Sequence, residues 1–209
     1  FLKKKSMELS NKTISSVLEK VSLTDYMKYA LVQFKYEYDQ EKRRLTAWYR
    51  LEHIKDYRGV DFTLVEGDIT DGFCVSDIIN KHEPDEVYNL AAQSHVRVSF
   101  ETPEETTEYV AMGTLRLLEA YRNICPEAKF YQASSSEMFG NIGPKIKNER
   151  TNFQPISPYA VSKLHAHWII SVYRNVHNIF CCSGIMFNHE SPLREDQFVT
   201  QKIIEYLIK

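Results

Sequence analysis

Lys129-Phe130-Tyr131-Gln132-Ala133-Ser134-Ser135-Ser136-Glu137 is the stretch that decides the fold class of this chain, because a short and largely apolar run ends in a cluster of polar side chains. Short apolar runs of this kind are typical of strands covered on both faces of a parallel sheet. In such sheets, ligands bind at the carboxyl ends of the strands. We therefore predict a strand over Lys129 to Ala133 and a functional role for the cluster Ser134 to Glu137.

The same alternation of short apolar runs and longer amphipathic segments continues on both sides of this stretch. The other strand candidates are Phe62 to Glu66, Glu86 to Ala91 and Phe180 to Met186, and the helix candidates are Gly72 to Lys81, Pro103 to Asn123 and Pro158 to Val176. Repeated strand, helix, strand connections imply parallel strands with right-handed crossovers. We therefore predict an α/β protein with a Rossmann-like, doubly wound parallel sheet.

Two further polar clusters stand where predicted strands end. Ala91 to Ser94 follows one strand and Phe187 to Glu190 follows another. Because the carboxyl ends of parallel strands lie at one edge of a sheet, we expect these clusters to converge with Ser134 to Glu137 on one cleft.

The first 58 residues contain no glycine. A dinucleotide fold normally opens with a glycine-rich turn, because only glycine lets the backbone approach a pyrophosphate at a helix N-terminus. We interpret Ile14 to Tyr38 as helix-like or mixed. The predicted domains are therefore residues 1–58, an atypical segment in place of the glycine-rich βαβ opening, residues 59–190, a Rossmann-like catalytic core, and residues 191–209, the start of a largely missing substrate domain.

The composition favours a soluble, cytoplasmic protein. Of the 209 residues, 43% are hydrophobic and 26% are charged, which is enough for one sizeable core. A net charge of −2 gives no global attraction to nucleic acid or to an anionic membrane, and we expect neither as a partner. We interpret the four cysteines as reduced thiols, and His95 and His189 as hydrogen-bonding residues, so no metal site is predicted.

Tyr159 and Lys163 form a Tyr-x-x-x-Lys spacing downstream of the serine cluster. Residues four apart share a helix face, so we expect the Lys163 ammonium beside the Tyr159 phenol. A neighbouring cation favours the phenolate, and we expect it to lower the pKa of Tyr159 from its ordinary value of about 10. Such a phenolate can take a hydroxyl proton while hydride leaves the same carbon for a nicotinamide. Because the spacing alone arises often by chance, its neighbours carry the prediction.

An ordered set of motifs resembles the GDP-mannose 4,6-dehydratases of the extended short-chain dehydrogenase/reductase superfamily. The shared stretches are Glu66 to Ile69, Pro84 to Val96, Val98 to Glu101, Gly113 to Ala120, Phe130 to Glu137, Ser157 to Lys163, Phe187 to Pro192, Phe198 to Thr200, and Lys202 with Ile203. They follow the family order across about 140 residues. A fainter similarity to the family's loop after its second strand reaches Arg43 and Arg44.

The resemblance implies a conversion of GDP-mannose to GDP-4-keto-6-deoxymannose. In this family the sugar is oxidised at C4, water is eliminated across C5 and C6, and hydride returns to C6. Tyr159 would take the C4 hydroxyl proton, with Lys163 beside it and beside the nicotinamide ribose. Ser135 would hydrogen-bond the C4 oxygen, and Glu137 would remove the C5 proton and help protonate the leaving hydroxyl.

The resemblance also implies binding residues. Those expected to contact the cofactor are Arg43, Arg44, Asp68, Ile69, Leu90, Ala91, Ala92, Tyr159 and Lys163. Those expected to line the sugar-nucleotide cleft are Ser94, Asn188, Glu190 and Arg194. The two arginines suit a 2′-phosphate and favour NADP over NAD, although a solvated basic turn is the alternative.

Two other functions are open at this stage. The chain could be another nucleotide-sugar dehydratase or an epimerase of the same superfamily, although epimerases usually lack an acid at the position of Glu137. It could also be a truncated, non-catalytic homologue that binds an active enzyme, which the glycine-free opening and the early end of the sequence favour. The resemblance implies a homo-oligomer in addition.

Overall fold

A computed structural model describes residues 29–34, 62–141, 143, 146–190 and 199–208. The chain divides into two compact units. One contains Phe1–Lys28, Arg43–Asp61 and Asn188–Lys209, and the other contains Tyr29–Lys42 and Phe62–Phe187. The second unit holds every strand among the described residues.

The strands of this unit are all parallel to their neighbours. They are β1 (Tyr29–Phe34), β2 (Phe62–Gly67), β3 (Glu86–Asn89), β4 (Lys129–Ser135) and β5 (Cys181–Met186). β1 pairs with β2, and the other three form a sheet in the order β3-β4-β5. The predicted parallel α/β architecture is confirmed, and four of these strands lie within a few residues of their predicted bounds.

From β2 onward, helices connect successive strands. They are α1 (Gly72–His82), α2 (Val96–Glu101), α3 (Pro103–Thr107), α4 (Gly113–Ile124) and α5 (Pro158–His177), with α6 (Val199–Ile208) in the other unit. None of the helices within the described ranges has the combination of length and apolar character that a membrane span requires.

The helix predicted from Pro103 to Asn123 is interrupted by a π-helical turn over Glu108–Met112. The hydroxyls of Thr106, Thr107 and Thr114 each donate to a backbone carbonyl four residues earlier. Hydroxyls bonded in this way compete with the regular helical hydrogen bonds and bend helices. The amphipathic spacing could not reveal this turn, because the apolar stripe continues through it.

For Ile14 to Tyr38, interpreted from the sequence as helix-like or mixed, the helix-like alternative is wrong at Tyr29–Phe34, which form β1. This run contains aromatic, leucine and valine residues of the kind that occur in strands. The absence of a glycine-rich turn does not argue against a strand, because that turn follows the strand in a dinucleotide fold. The rest of that segment lies outside the described residues.

In the core of the larger unit, β4 shares one apolar cluster with helices α4 and α5. Tyr121, Leu118, Phe130 and Ile170 are at most 1% exposed and belong to one apolar cluster. Burying a side chain of this size contributes about 1.5–3 kcal/mol. The Tyr121 hydroxyl, which would be unfavourable in an apolar core, donates to the carbonyl of Ala128 over 2.6 Å. These contacts therefore fix the amino-terminal half of β4 in the core.

Candidate functional site

Ser135 and Glu137 are placed by the way β4 ends. Ser135 has extended backbone angles, and its Oγ accepts a hydrogen bond from the Glu137 amide over 3.2 Å. This bond starts a 3-10 turn over Ser136–Phe139. The turn directs the chain out of the sheet, with Ser135 buried and Glu137 half-buried.

The far end of this turn is fixed by a glycine. Gly140 has φ of +60°, and a Cβ on it would lie 2.0 Å from the carbonyl oxygen of Gln154. The Gln154 amide also donates to the carbonyl of Met138 over 2.9 Å. The segment around Gln154 therefore packs closely against the Glu137 turn, and only a glycine at position 140 permits this approach.

Replacing Gly140 by alanine is expected to lower the free energy of unfolding by about 2–3 kcal/mol, because the backbone is strained and the Gln154 carbonyl must move. Denaturant unfolding measures the loss. Gly72→Ala is the matched control, since the nearest atom to its Cβ lies 3.9 Å away in the flexible Arg116 side chain. Equal stability of Gly140→Ala and the wild-type protein would contradict the close packing of Gln154 against Gly140.

Tyr159 and Lys163 lie in the first turns of α5. Ser157 caps this helix by accepting from the Ala160 amide over 3.1 Å, and Pro158 occupies its first turn. Tyr159 is 8% exposed and Lys163 is 3% exposed. The Lys163 Nζ lies 5.9 Å from the centre of the Tyr159 ring, so the predicted neighbourhood of the two side chains is present.

The charges around Tyr159 differ from the sequence-based expectation. Its pKa is raised above the ordinary value, first by burial and also by the negative charge of Glu137, while a hydrogen bond with Ser135 opposes the rise. The expected lowering by Lys163 is wrong for the protein alone. Burial penalises the phenolate, and Lys163 donates instead to the carbonyl of Ala133 over 2.9 Å. Ser135 and Glu137 share the turn that follows β4. Ser135 hydrogen-bonds the Tyr159 phenol and the charge of Glu137 acts on it, so the three side chains are neighbours.

Burial of Lys163 disfavours its charged form and so opposes folding. Burial lowers the pKa of Lys163 from 10.5 to about 8. Between these two values the unfolded chain holds the proton and the folded chain does not, so stability rises with pH across that window. Below about pH 8 the full penalty of burying the ammonium, about 3 kcal/mol, acts against folding.

Lys163→Met is therefore expected to stabilise the chain at pH 7 by about 2 kcal/mol, since about 1 kcal/mol is lost with the hydrogen bond to Ala133. The advantage should shrink as the pH rises from 8 to 10. Denaturant unfolding at several pH values, compared between variant and wild type, measures it. A variant that is less stable than wild type at pH 7, or a difference independent of pH, would contradict the burial of a charged Lys163.

Apart from Tyr159 and Lys163 on α5, the predicted cofactor residues within the described ranges lie at strand ends of the larger unit. Asp68 follows β2, and its carboxylate accepts from the amide and the hydroxyl of Thr70. Ile69 is 1% exposed, and its side chain packs into the core against Gly113. Leu90 is exposed, whereas Ala91 and Ala92 are half-buried after β3. Their role in binding a cofactor stays a prediction.

The predicted substrate residues within the described ranges are divided between the two units. Ser94 is exposed in the larger unit, while Asn188 and Glu190 belong to the smaller one. Arg194, Arg43 and Arg44 lie outside the described residues. The described part of the chain holds no group of three or more His, Cys, Asp or Glu side chains that could bind a metal ion.

Sequence reasoning missed two buried amides beside this site, Asn89 on β3 and Gln132 on β4. They are 2% and 0% exposed and lie opposite each other in the strand register. A signal was present in the sequence, because each is a polar residue inside a short run predicted to be a covered strand. Buried amides of this kind must find partners.

Known proteins resemble this chain in sequence. The family described as GDP-mannose 4,6 dehydratase matches residues 25–209. GDP-mannose 4,6-dehydratase of Vibrio cholerae is 50% identical over 175 residues, which are 80% of this chain and 47% of that protein. The chain spans about half the length of the curated relatives it matches.

Solved structures resemble it in fold. RMD from Pseudomonas aeruginosa, complexed with NADPH, is 27% identical with a TM-score of 0.62, covering 71% of this chain and 53% of that one. A dTDP-glucose 4,6-dehydratase, DesIV from Streptomyces venezuelae, has a TM-score of 0.75 at 18% identity, covering 96% of this chain and 59% of that one. The similarity confirms the predicted Rossmann-like α/β fold.

Proposed function

Because the chain belongs to the GDP-mannose 4,6-dehydratase family, we propose that it takes part in converting GDP-mannose to GDP-4-keto-6-deoxymannose. The observation that carries the proposal is the meeting of Ser135, Glu137 and Tyr159 at the end of β4. A hydroxyl, a carboxyl and a phenol are the groups that an oxidation coupled to loss of water requires.

Tyr159, in its phenolate form, takes the proton of the C4 hydroxyl. The buried Ser135 hydroxyl, whose hydrogen bond lowers the pKa of this phenol, holds the C4 oxygen. The ketone at C4 makes the neighbouring C5 proton acidic. Glu137 removes this proton and then delivers a proton to the hydroxyl leaving C6, so one carboxyl serves both atoms. After hydride arrives at C6, a proton returns to C5 and the product retains the C4 ketone.

The cofactor we propose is NADP, which accepts hydride from C4 and returns it to C6 when bound. The residues present fit it, because the Lys163 ammonium has three N–H donors and the Ala133 carbonyl uses one. The others are available to ribose hydroxyls. The predicted preference for NADP over NAD rests on Arg43 and Arg44, which suit a 2′-phosphate.

The remaining proposals concern the rest of the site. Ser94, Asn188, Glu190 and Arg194 contact the sugar nucleotide, and Asp68, Ile69 and residues 90–92 contact the cofactor. Residues 59–190 act as the catalytic core, and the active protein is a homo-oligomer. Glu137 favours a dehydratase over an epimerase, since an epimerase has no water to eliminate.

The test is incubation of the chain with GDP-mannose and either NADP or NAD, with the product identified by NMR. UDP-glucose and dTDP-glucose serve as competing substrates. The proposal predicts a 4-keto-6-deoxy sugar from GDP-mannose, formed faster with NADP. A different preferred nucleotide sugar, or a product that keeps its C6 hydroxyl, would contradict it.

A further inference from the structure

A chain of buried hydrogen bonds runs beneath the site, and it begins at the end of β3. The Asn89 Oδ1 accepts from the Ala91 amide over 3.2 Å. The Asn89 Nδ2 therefore faces the other way, donating to Gln132 Oε1 over 2.8 Å and to Thr114 Oγ1 over 3.2 Å. The Thr114 hydroxyl can accept this bond because its own proton goes to the Val110 carbonyl over 2.7 Å.

The series of hydrogen bonds continues from Gln132 toward the catalytic lysine, Lys163. With its Oε1 occupied, Gln132 donates through Nε2 to the carbonyl of Ala133 over 3.2 Å. The Lys163 Nζ donates to this same carbonyl over 2.9 Å. β3 ends at Asn89 opposite Gln132, so Ala133 lies one residue beyond the paired part of β3 and its carbonyl can serve side chains.

Each amide orientation in this chain is fixed by its partners. If the Asn89 amide were reversed, its nitrogen would face the Ala91 N–H and its oxygen would face Gln132 Oε1, so two contacts would become repulsive. Reversing Gln132 would bring its oxygen against the Ala133 carbonyl. Fully satisfied buried networks of this kind hold one arrangement, and losing one member leaves the others unsatisfied.

We propose that Asn89 and Gln132 are positioning residues, which tie the Ala91 amide at the end of β3 to the carbonyl on which Lys163 rests. Both side chains are buried, and their polar ends are taken up by hydrogen bonds within the protein. Their effect reaches a bound dinucleotide through two groups, the backbone after β3 and the Lys163 ammonium. Only this last step rests on the proposed function.

The test in the cofactor-free chain is backbone amide exchange measured by NMR. Gln132→Met keeps the side-chain length and removes both polar ends, which leaves the Asn89 side chain less constrained. Exchange at Ala91 is expected to become about fivefold faster, although Gln132 does not bond to that amide. The Phe130 amide, which donates to the Phe180 carbonyl over 3.0 Å, reports on loosening of the whole sheet.

Ser162→Ala is the matched control. Ser162 is also 2% exposed and adjoins Lys163, but its hydroxyl bonds to Pro158 and Thr107, outside the chain of amides. This variant should leave Ala91 exchange unchanged. If Gln132→Met does not fold, Thr114→Val removes the other acceptor of Asn89 and should speed Ala91 exchange about twofold.

Unchanged exchange at Ala91, or equal acceleration at Ala91 and Phe130, would overturn the inference. With NADP, Gln132→Met should weaken binding about fivefold, whereas Ser162→Ala should leave it unchanged. Failure of the wild-type chain to bind NADP would count against the proposed function, and the exchange result would still decide the role of the two amides.

Discussion

Tyr159→Phe is expected to lower turnover of GDP-mannose by about a thousandfold, because the ring remains in place while the group that takes the C4 hydroxyl proton is lost. Tyr159 is buried, and its hydroxyl interacts with Ser135 and Glu137. Removing one oxygen from this position leaves the packing of α5 intact. Binding of NADP and GDP-mannose should therefore change little, and the loss should appear in turnover rather than in affinity.

Tyr173→Phe is the matched control for this variant. Tyr173 lies on the same helix and is equally buried at 8% exposure, but its hydroxyl donates to Glu119 on α4, away from the site. Steady-state assays of both variants measure the difference in their turnover of GDP-mannose. Turnover by Tyr159→Phe at the level of Tyr173→Phe would remove the phenol from the reaction.

Glu137→Gln is expected to abolish loss of water, again by about a thousandfold, because an amide cannot take the C5 proton. The same variant should also change the pKa of Tyr159, and this can be measured without substrate. The negative charge of Glu137 contributes to the raised pKa of Tyr159, although burial is the larger cause. Removing that charge should lower the pKa of Tyr159, so the phenol ionises at a lower pH.

Ultraviolet difference spectra measure this second effect. The spectrum of the wild-type protein is compared with that of Tyr159→Phe, and the spectrum of Glu137→Gln with that of the double variant that also carries Tyr159→Phe. The signals of the other tyrosines then cancel. An unchanged pKa of Tyr159 in Glu137→Gln would show that the carboxylate and the phenol do not share a site. Loss of turnover without that change would point to a structural effect of the substitution.

The sequence predicted the parts of this site that depend on local geometry. Tyr159 and Lys163 meet because residues four apart share a helix face, and Ser157 with Pro158 marks where that helix begins. Ser135 and Tyr159 meet because β4 ends beside α5. The strand-end rule anticipated a functional role for Ser135, whereas its proximity to Tyr159 was implied by the family resemblance.

Other parts depend on contacts between distant segments, which periodicity does not encode. The place of Glu137 is set by the 3-10 turn and by the approach of Gln154 to Gly140. The direction of the Tyr159 pKa follows from burial, and spacing alone pointed the other way. The pairing of Asn89 with Gln132 required the register of β3 on β4.

The most direct measurement of the shared role of Tyr159 and Glu137 is conversion of GDP-mannose with NADP in deuterium oxide, followed by NMR at C5 of the sugar. The proton returned to C5 should come from solvent by way of Glu137. The wild-type chain is predicted to give a 4-keto-6-deoxy product that carries deuterium at C5, and Glu137→Gln should show no deuterium there. Deuterium at C5 in Glu137→Gln at the wild-type rate would contradict the assignment.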